Sequence, residues 1–410
     1  MASNLPPLPA PVLFVRQKIA PLALTVSSSE PKRVNLLIPT VDFNYVFGGY
    51  IAKFNLARRM AETGFVVRIV IVDQCDFQPE TWKQQLLSFE GLGNVLDRCE
   101  LAYVYERSVR LKVNPNDSFI ATTWWTAHIA QQAARTLGKR DFVYLIQEFE
   151  PFTFPMGSFA SLAEQTYRWP HYALFSTELL RDYFRDERLG VFAGECQEGE
   201  RRSAVFQNAI TQVDTVTPDS MRRRSSRKVL FYARPESHAS RNMFELGMVA
   251  LCAAIDGGVF DQRWEFTGIG SVELFGRMHL SQGRYMHFLL RQNQADYRQV
   301  LMAHDLGLSL MYTPHPSLVP IEMASAGMVV VTNTFRNKTA DALRSISPNL
   351  VGVEATVDGL VAGLRAAVAK VEQFQDRAAG SHVNWSRDWS EALGPAVMER
   401  VAGFLRQISA

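Results

Sequence analysis

The sequence predicts an α/β protein made of two Rossmann-like domains in series, each a parallel sheet covered by helices on both faces. Three observations lead there. Short apolar, β-branched or aromatic runs alternate with segments of helical spacing over 34–176 and again over 229–373; such alternation marks a parallel sheet wrapped on both sides. A break separates the two series: 190–203 is polar and glycine-containing, and 221–228 reads MRRRSSRK. The length, 410 residues, is too great for one hydrophobic core and suits two domains of similar size.

Taken in order, residues 1–32 are rich in Pro and Ser and read as an extended arm, with an edge strand at 11–15. The first domain is expected at 33–216. Its strands fall at 34–38, 66–72, 101–105, 119–122, 142–146 and 172–176. A helix over 50–62 is expected because Ile51, Phe54, Leu56, Ala57 and Met60 share one face; 127–137 and 159–168 behave alike. The basic run at 221–228 has no interleaved aromatic residue to stack on bases, so it reads as a solvated linker. The second domain is expected at 217–384. It starts with strand 229–232 and helix 240–255, followed by strands at 264–267 and 287–290. Helix 295–303, strand 306–311, helix 320–326 and strand 328–332 come next, and strand 350–353 with helix 357–373 closes it. In the tail, 385–410, Trp385 and Trp389 precede a helix at 390–408 with more apolar surface than a free tail needs; it should pack back on a domain.

Composition excludes several classes. Hydrophobic residues make up 47% and charged residues 20%, ordinary for a globular protein. A net charge of +2 argues against wrapping nucleic acid. The four cysteines form no CxxC pair, which suits a reduced, cytoplasmic protein without structural zinc. No apolar run is long enough to span a bilayer, and prolines interrupt the N-terminal apolar residues before a signal-peptide core can form.

The segment 309–335, SLMYTPHPSLVPIEMASAGMVVVTNTF, is a strand, a Pro-rich loop, a helix carrying Glu322 in its first turn, and a second strand. Ligands of such units sit at the carboxyl ends of the strands. Glu322 can oppose the helix dipole, or it can accept hydrogen bonds from a sugar diol. Arg234 and Arg241, in FYARPESHASRNMFELG, flank the loop after strand 229–232; there they can hold a diphosphate, or pair with Glu236 and Glu245. Arg291, past another strand, is a third such candidate. Gly48 and Gly49 open the first long helix, where glycine lets a backbone approach an anion. In YLIQEFEPFTFPMG, Gln147, Glu148 and Glu150 stand among phenylalanines after a strand; they can grip a sugar, or the rings can plug a core. Trp125, in TTWWTAH at 122–128, is placed to line the same site. There is no GxGxxG fingerprint, no Walker loop and no nucleophile elbow; Asp73, just past the second strand, keeps a nicotinamide oxidoreductase as a distant alternative.

These residues together resemble the GT-B glycosyltransferases. The likeness is closest to the retaining branch whose signature is two glutamates separated by seven residues, and within it to WsaF-type bacterial rhamnosyltransferases. Three stretches carry it: QEFEPFTFPMG at 147–157, ARPESHASRNMFELG at 233–247, and LGLSLMYTPHPSLVPIEMASAG at 306–327. The resemblance implies two sheets facing across a cleft. Glu322 would bind the nucleoside sugar, and Arg234 and Arg241 would neutralise the leaving diphosphate, with Arg291 as a substitute for one of them. Gly48 and Gly49 would face the diphosphate or the acceptor, and Gln147, Glu148 and Glu150 the transferred sugar or the acceptor. The first signature glutamate falls on Pro314, so amides of Ser317, Leu318 and Val319, beside Pro316, would meet the diphosphate instead. A deoxy-sugar donor suits this lighter recognition of hydroxyls.

The expected function is retaining transfer of L-rhamnose from dTDP-β-L-rhamnose to a growing bacterial surface polysaccharide. The site must concentrate positive charge on the leaving group. The leaving phosphate can take the acceptor's proton on the same face, which suits a chain offering no evident general base. Without a DxD motif, no metal is expected. A non-catalytic glycan- or nucleotide-binding protein on the same scaffold is the alternative, motivated by the missing glutamate. The expected location is cytoplasmic, with the inner face of a bacterial membrane and partner glycosyltransferases left open.

Overall fold

The computed structural model describes residues 8–42, 48–89, 91–290 and 294–409. The chain divides into two compact units: one comprises Met1–Glu150, Ser158–Asn208 and Trp389–Ala410, the other Pro151–Gly157 and Ala209–Asp388. Each unit contains a seven-stranded sheet.

The first unit contains β1 (Ala23–Val26), β2 (Val34–Ile38), β3 (Val67–Ile71), β4 (Glu100–Tyr103), β5 (Arg110–Val113), β6 (Ser118–Ala121), β7 (Phe142–Ile146), β8 (His171–Ser176) and β9 (Ser203–Phe206). Its main sheet runs β4-β3-β2-β6-β7-β8-β9, and all its pairings are parallel. The strands are buried on both faces: Leu36 and Ile38 enter one core layer and Leu37 the other, which is why the sequence reads as continuous apolar runs. The C-terminal helix Pro395–Ser409 returns to this unit and buries Met398, Val401, Ala402, Phe404, Leu405 and Ile408. That is a helical stripe whose larger members contribute about 1.5–3 kcal/mol each. Phe404 stacks on Tyr172 at 4.8 Å between ring centroids.

Two expectations for this unit require correction. Residues 11–15 lie in a helix, Ala10–Ile19, not in an edge strand, so the arm is not extended throughout. Pro11 has the φ a helix needs and lacks only an amide that the first turn would leave unbonded. Tertiary contacts then hold the helix: Phe14 meets Phe159 edge-on at 6.3 Å, and Lys18 pairs with Asp73 at 2.5 Å. The polar stretch after 190 is likewise not a break. It carries the helix Cys196–Arg201 and the edge strand β9, paired with β8, and the division between units falls at Asn208–Ala209.

The second unit contains β10 (Arg227–Tyr232), β11 (Trp264–Ile269), β12 (Gly276–His279), β13 (Tyr285–Phe288), β14 (Leu306–Leu308), β15 (Val329–Asn333) and β16 (Leu350–Val353). Its order is β12-β13-β11-β10-β14-β15-β16, parallel except for β12 against β13. The basic run is an anchor here, not a solvated linker. Arg224 pairs with Asp305 at 2.8 Å, Arg377 reaches the same oxygen at 3.1 Å, and Arg227 grips both oxygens of Glu372 at 2.9 Å. Asp305 and Arg377 are almost wholly buried. Charge in a run of basic residues says nothing of which side chains fold inward.

Helix Phe244–Asp256 packs close to β10 because Gly247 carries no side chain: a Cβ there would stand 2.5 Å from the Phe231 ring. Gly247→Ala is expected to destabilise the unit by about 1–3 kcal/mol through overpacking, read as a lower urea midpoint with an unchanged slope.

Buried histidines make both units acid-sensitive. Burial pulls His171 in the first unit and His304 in the second down to about 4. Their Nδ1 atoms lie 2.7 Å from the Trp169 carbonyl and 2.6 Å from the Val300 carbonyl. The unfolded chain binds their protons from about pH 6.5, the folded chain only near 4, so stability is full above pH 6.5 and is lost as pH falls toward 4. Between pH 7 and pH 5 the loss should reach about 1–2 kcal/mol for each histidine, measurable by urea unfolding at the two values.

Candidate functional site

In the second unit the chain leaves β10 toward β11 on one side and returns to β14 on the other. Strand order reverses there, and the loops at the carboxyl ends of β10 and β14 frame the crevice where ligands of open α/β sheets bind.

The loop after β10 carries Arg234 and Arg241. Arg234 is buried; its Nε donates to Glu236 Oε2 at 2.8 Å, its Nη1 to the Tyr232 hydroxyl at 3.2 Å, and its Nη2 lies 3.2 Å from His238 Nε2. Glu236 is itself held by the Ser271 hydroxyl at 2.9 Å and the Val272 amide at 2.7 Å. Burial alone would raise the Glu236 carboxyl, but Arg234 and these donors outweigh it and hold it below its usual range. The loops after β10 and β11 are thus stitched together by one carboxylate. The pairing of Arg234 with Glu236 is real, but it is a buried clamp and leaves Arg234 beside the switch point. Arg241 is half-buried, and its Nη1 donates to the His238 carbonyl at 3.2 Å.

The loop after β14 is tied to both sides. The Tyr312 amide donates to the Arg241 carbonyl at 2.8 Å; Asn333 bonds both the amide and the carbonyl of Met311 at 2.7 and 3.0 Å. Lys338, fully buried after β15, donates to the same carbonyl at 2.6 Å. Pro316, Ser317, Leu318 and Val319 lead into the helix Val319–Ser325. Of the three amides expected to meet a diphosphate, that of Ser317 donates internally to His315 Nδ1 at 3.0 Å.

Glu322 is buried, and both its oxygens are engaged: Oε1 accepts the Thr211 amide at 2.9 Å and Oε2 the Tyr297 hydroxyl at 2.8 Å. Burial and the facing Glu322 push the Tyr297 phenol well above its usual range. A carboxylate has about four acceptor sites, so two remain beyond these bonds. The dipole and diol readings of Glu322 are therefore joined by a third: it ties residue 211 and the helix Gln294–Met302 to the site. Arg291 lies outside the described residues. A depression of about 510 Å³ lies elsewhere, along the sheet face between Lys228, Glu265, Arg277, Tyr285 and His287.

In the first unit strand order reverses between β2 and β6. Gly48 and Gly49 open the helix Gly48–Glu62, and the Gly49 carbonyl accepts Gln147 Nε2 at 3.0 Å. Gln147 in turn lies 3.4 Å from Asn208 Nδ2. The structure therefore joins Gly49 and Gln147, which are far apart in sequence. Glu148 is half-buried, and its Oε1 accepts the Phe149 amide at 3.3 Å; Phe149 is buried and stacks on Tyr167 at 5.6 Å, so this ring is core and not a sugar platform. Glu150 accepts the amide of Trp124, the first residue of the helix Trp124–Thr136, and so caps that helix. Trp125 donates to Asp73 at 3.1 Å, and Lys18 lies over its ring at 4.6 Å; the N-terminal helix occupies the surroundings assigned to an acceptor. Lys53 was missed. It is buried with its Nζ 4.3 Å from the Tyr50 ring, and burial draws its ammonium down to about 8 against the fields of Glu150 and Asp73. A lysine one turn into an amphipathic helix gives no sequence signal that it points inward.

Among the described residues no helix is long and apolar enough to cross a membrane.

Models of the two domains of one family match the chain: WsaF, N-terminal domain, over residues 33–178, and WsaF, C-terminal domain, over 227–365. The O-antigen biosynthesis protein RfbC of Myxococcus xanthus is 30% identical over 339 residues, 80% of this chain; the chain spans 24% of that relative's length. Among solved structures, Anabaena HepE, in complex with UDP and glucose, aligns with a TM-score of 0.58 at 12% identity, covering 92% of this chain and 100% of that one. WaaG, a glycosyltransferase involved in lipopolysaccharide biosynthesis, aligns at 0.53 and 11% identity, covering 92% and 99%. At such identities these two speak for the fold, and the family models for kinship: the chain belongs to the WsaF family and has the GT-B fold of glycosyltransferases.

Proposed function

We propose that the chain is a retaining glycosyltransferase that moves L-rhamnose from dTDP-β-L-rhamnose to a growing bacterial surface polysaccharide. The observation that carries this reading is the pair of arginines, Arg234 and Arg241, held on one loop at the switch point of the second unit, with Glu322 on the helix that follows the facing loop. Membership of the WsaF family and the likeness to an O-antigen biosynthesis protein support it. Breaking the bond from the anomeric carbon to the diphosphate builds negative charge on the leaving oxygens, and preorganised guanidinium groups stabilise that charge. Arg234 is preorganised by Glu236, so the chain has no reorganisation to do when charge develops. Glu322 holds a pentose hydroxyl with its remaining acceptor sites. Gly49 and Gln147 contribute to acceptor or sugar recognition in the first unit. The reading includes transfer without a metal, in the cytoplasm at the membrane face.

The second reading, a binding protein without turnover, draws on Pro314 in the place of the signature glutamate and on the prior engagement of Glu322. Incubation with dTDP-β-L-rhamnose and a lipid-linked oligosaccharide, followed by mass spectrometry, separates the two. A mass gain of one deoxyhexose that survives EDTA supports metal-free transfer, and a β-linked product supports retention. Thermal stabilisation by UDP or GDP but not by dTDP would remove the rhamnosyl assignment.

A further inference from the structure

We propose that Tyr297 is a positioning residue for donor recognition: its hydroxyl, with the Thr211 amide, fixes the Glu322 carboxylate so that its remaining acceptor sites meet the hydroxyls of the nucleotide's pentose. The proposal rests on the reading of Glu322 given above.

It starts from how Glu322 differs from the other buried acids of its unit. Asp305 is gripped by Arg224 and Arg377, and Glu236 by Arg234. Glu322 is buried as well, yet its two partners, the Thr211 amide and the Tyr297 hydroxyl, are neutral, and no cation pairs with it among the described residues. A buried carboxylate kept only for the fold is expected to be matched by a cation. One that receives neutral donors, on the helix after a switch-point loop, keeps acceptor capacity for the hydroxyls of a ligand.

The two bonds also set its direction. They reach different oxygens, Oε1 at 2.9 Å and Oε2 at 2.8 Å, from different elements. The terminal torsion of a glutamate is broad and two-fold. One donor on each oxygen removes that freedom before a ligand arrives, so the ligand bears less of the ordering cost. Both donors are themselves held. The Ile210 amide donates to the Ser386 carbonyl at 3.1 Å and Gln212 Nε2 to the Arg387 carbonyl at 3.2 Å, which fixes the chain on either side of residue 211. Tyr297, in the first turn of the helix Gln294–Met302, packs against the core layer that holds Ile321 and Met323. Burial first, then the Glu322 charge, keeps its phenol protonated well above neutral pH, so it remains a donor.

The competing account is that this bond only staples two helices together. Tyr297→Phe separates the two, because it removes the hydroxyl and keeps the ring. Titration calorimetry is run with dTDP, UDP and GDP, and with the 2′,3′-dideoxy form of the best binder. The wild type should lose about 10- to 100-fold in affinity when the pentose hydroxyls are removed, the range for hydrogen bonds to a charged group. In the variant that discrimination should shrink to about threefold or less, because the carboxylate is no longer held and the two hydroxyl deletions are coupled. A staple alone would weaken both nucleotides equally, so an unchanged discrimination ratio overturns the role of Tyr297 and leaves Glu322 as the pentose ligand. Should the variant fail to fold, 3-fluorotyrosine at position 297 decides: its fluorine resonance should move differently with the two nucleotides, and identical shifts overturn the proposal. Equal affinity of the wild type for both nucleotides removes the pentose reading of Glu322 and this proposal with it. If the wild type binds none of the three diphosphates, the donor reading itself falls and takes the proposal with it.

Discussion

Arg241→Ala is expected to lower kcat for sugar transfer about a hundredfold or more, with a stability loss within about 1 kcal/mol. A preorganised donor to a developing anion contributes about 3–4 kcal/mol in comparable sites, which sets the rate effect. The small stability effect follows from its place: the side chain is half-buried, and the Tyr312 tie runs through its main-chain carbonyl, which alanine retains. Arg234→Ala should be different in kind. It strips the buried Glu236 of its guanidinium partner, and breaking a buried pair costs about 3–5 kcal/mol. Stopped assays with labelled donor and parallel urea titrations distinguish the two. Equal rate losses with equal stability losses would mean that Arg241 too is structural and touches no diphosphate.

The largest effect on stability is expected at Asp305. Asp305→Ala leaves Arg377, almost wholly buried, and Arg224 without their shared carboxylate, and removes the acceptor of the Lys228 amide at 3.2 Å. The expected loss is about 3–5 kcal/mol. Arg377 retains bonds to the carbonyls of Gly327 and Val371 at 2.9 and 2.7 Å, which soften the loss without removing the stranded charge. Urea unfolding followed by tryptophan fluorescence measures it. A change under about 1 kcal/mol would show that water reaches the arginines and that the pair is not desolvated.

Much of the architecture was legible in the residues. Val34, Leu36, Leu37 and Ile38 are apolar on both faces of their strand because both faces are covered, and the same holds for Val329, Val330 and Val331. The stripe from Met398 to Ile408 announced a helix that needs a partner. Short elements with mixed composition were not legible. Residues 11–15 have the β-branched and aromatic content of a strand, yet Phe159, Asp73 and Trp125 make them part of a helix. The edge strand β12 alternates Arg277 and His279 with Met278, too weak a pattern to mark a strand alone.

For the site, the sequence by itself determined which side chains exist at the carboxyl ends of strands: Arg234 and Arg241 after β10, Pro314 to Ser317 after β14, Gly48 and Gly49 after β2. Strand and loop periodicity is local, so it is written in neighbouring residues. Tertiary structure alone decided the pairings that set their chemistry. Glu322 meets Thr211 and Tyr297, Gln147 meets Gly49, Glu150 caps the helix at Trp124, and Lys338 stands with Arg241 around His315. Those partners lie tens to more than a hundred residues apart, and within each unit only the folding of loops around the strand ends brings charge and hydrogen-bond donors from separate elements together.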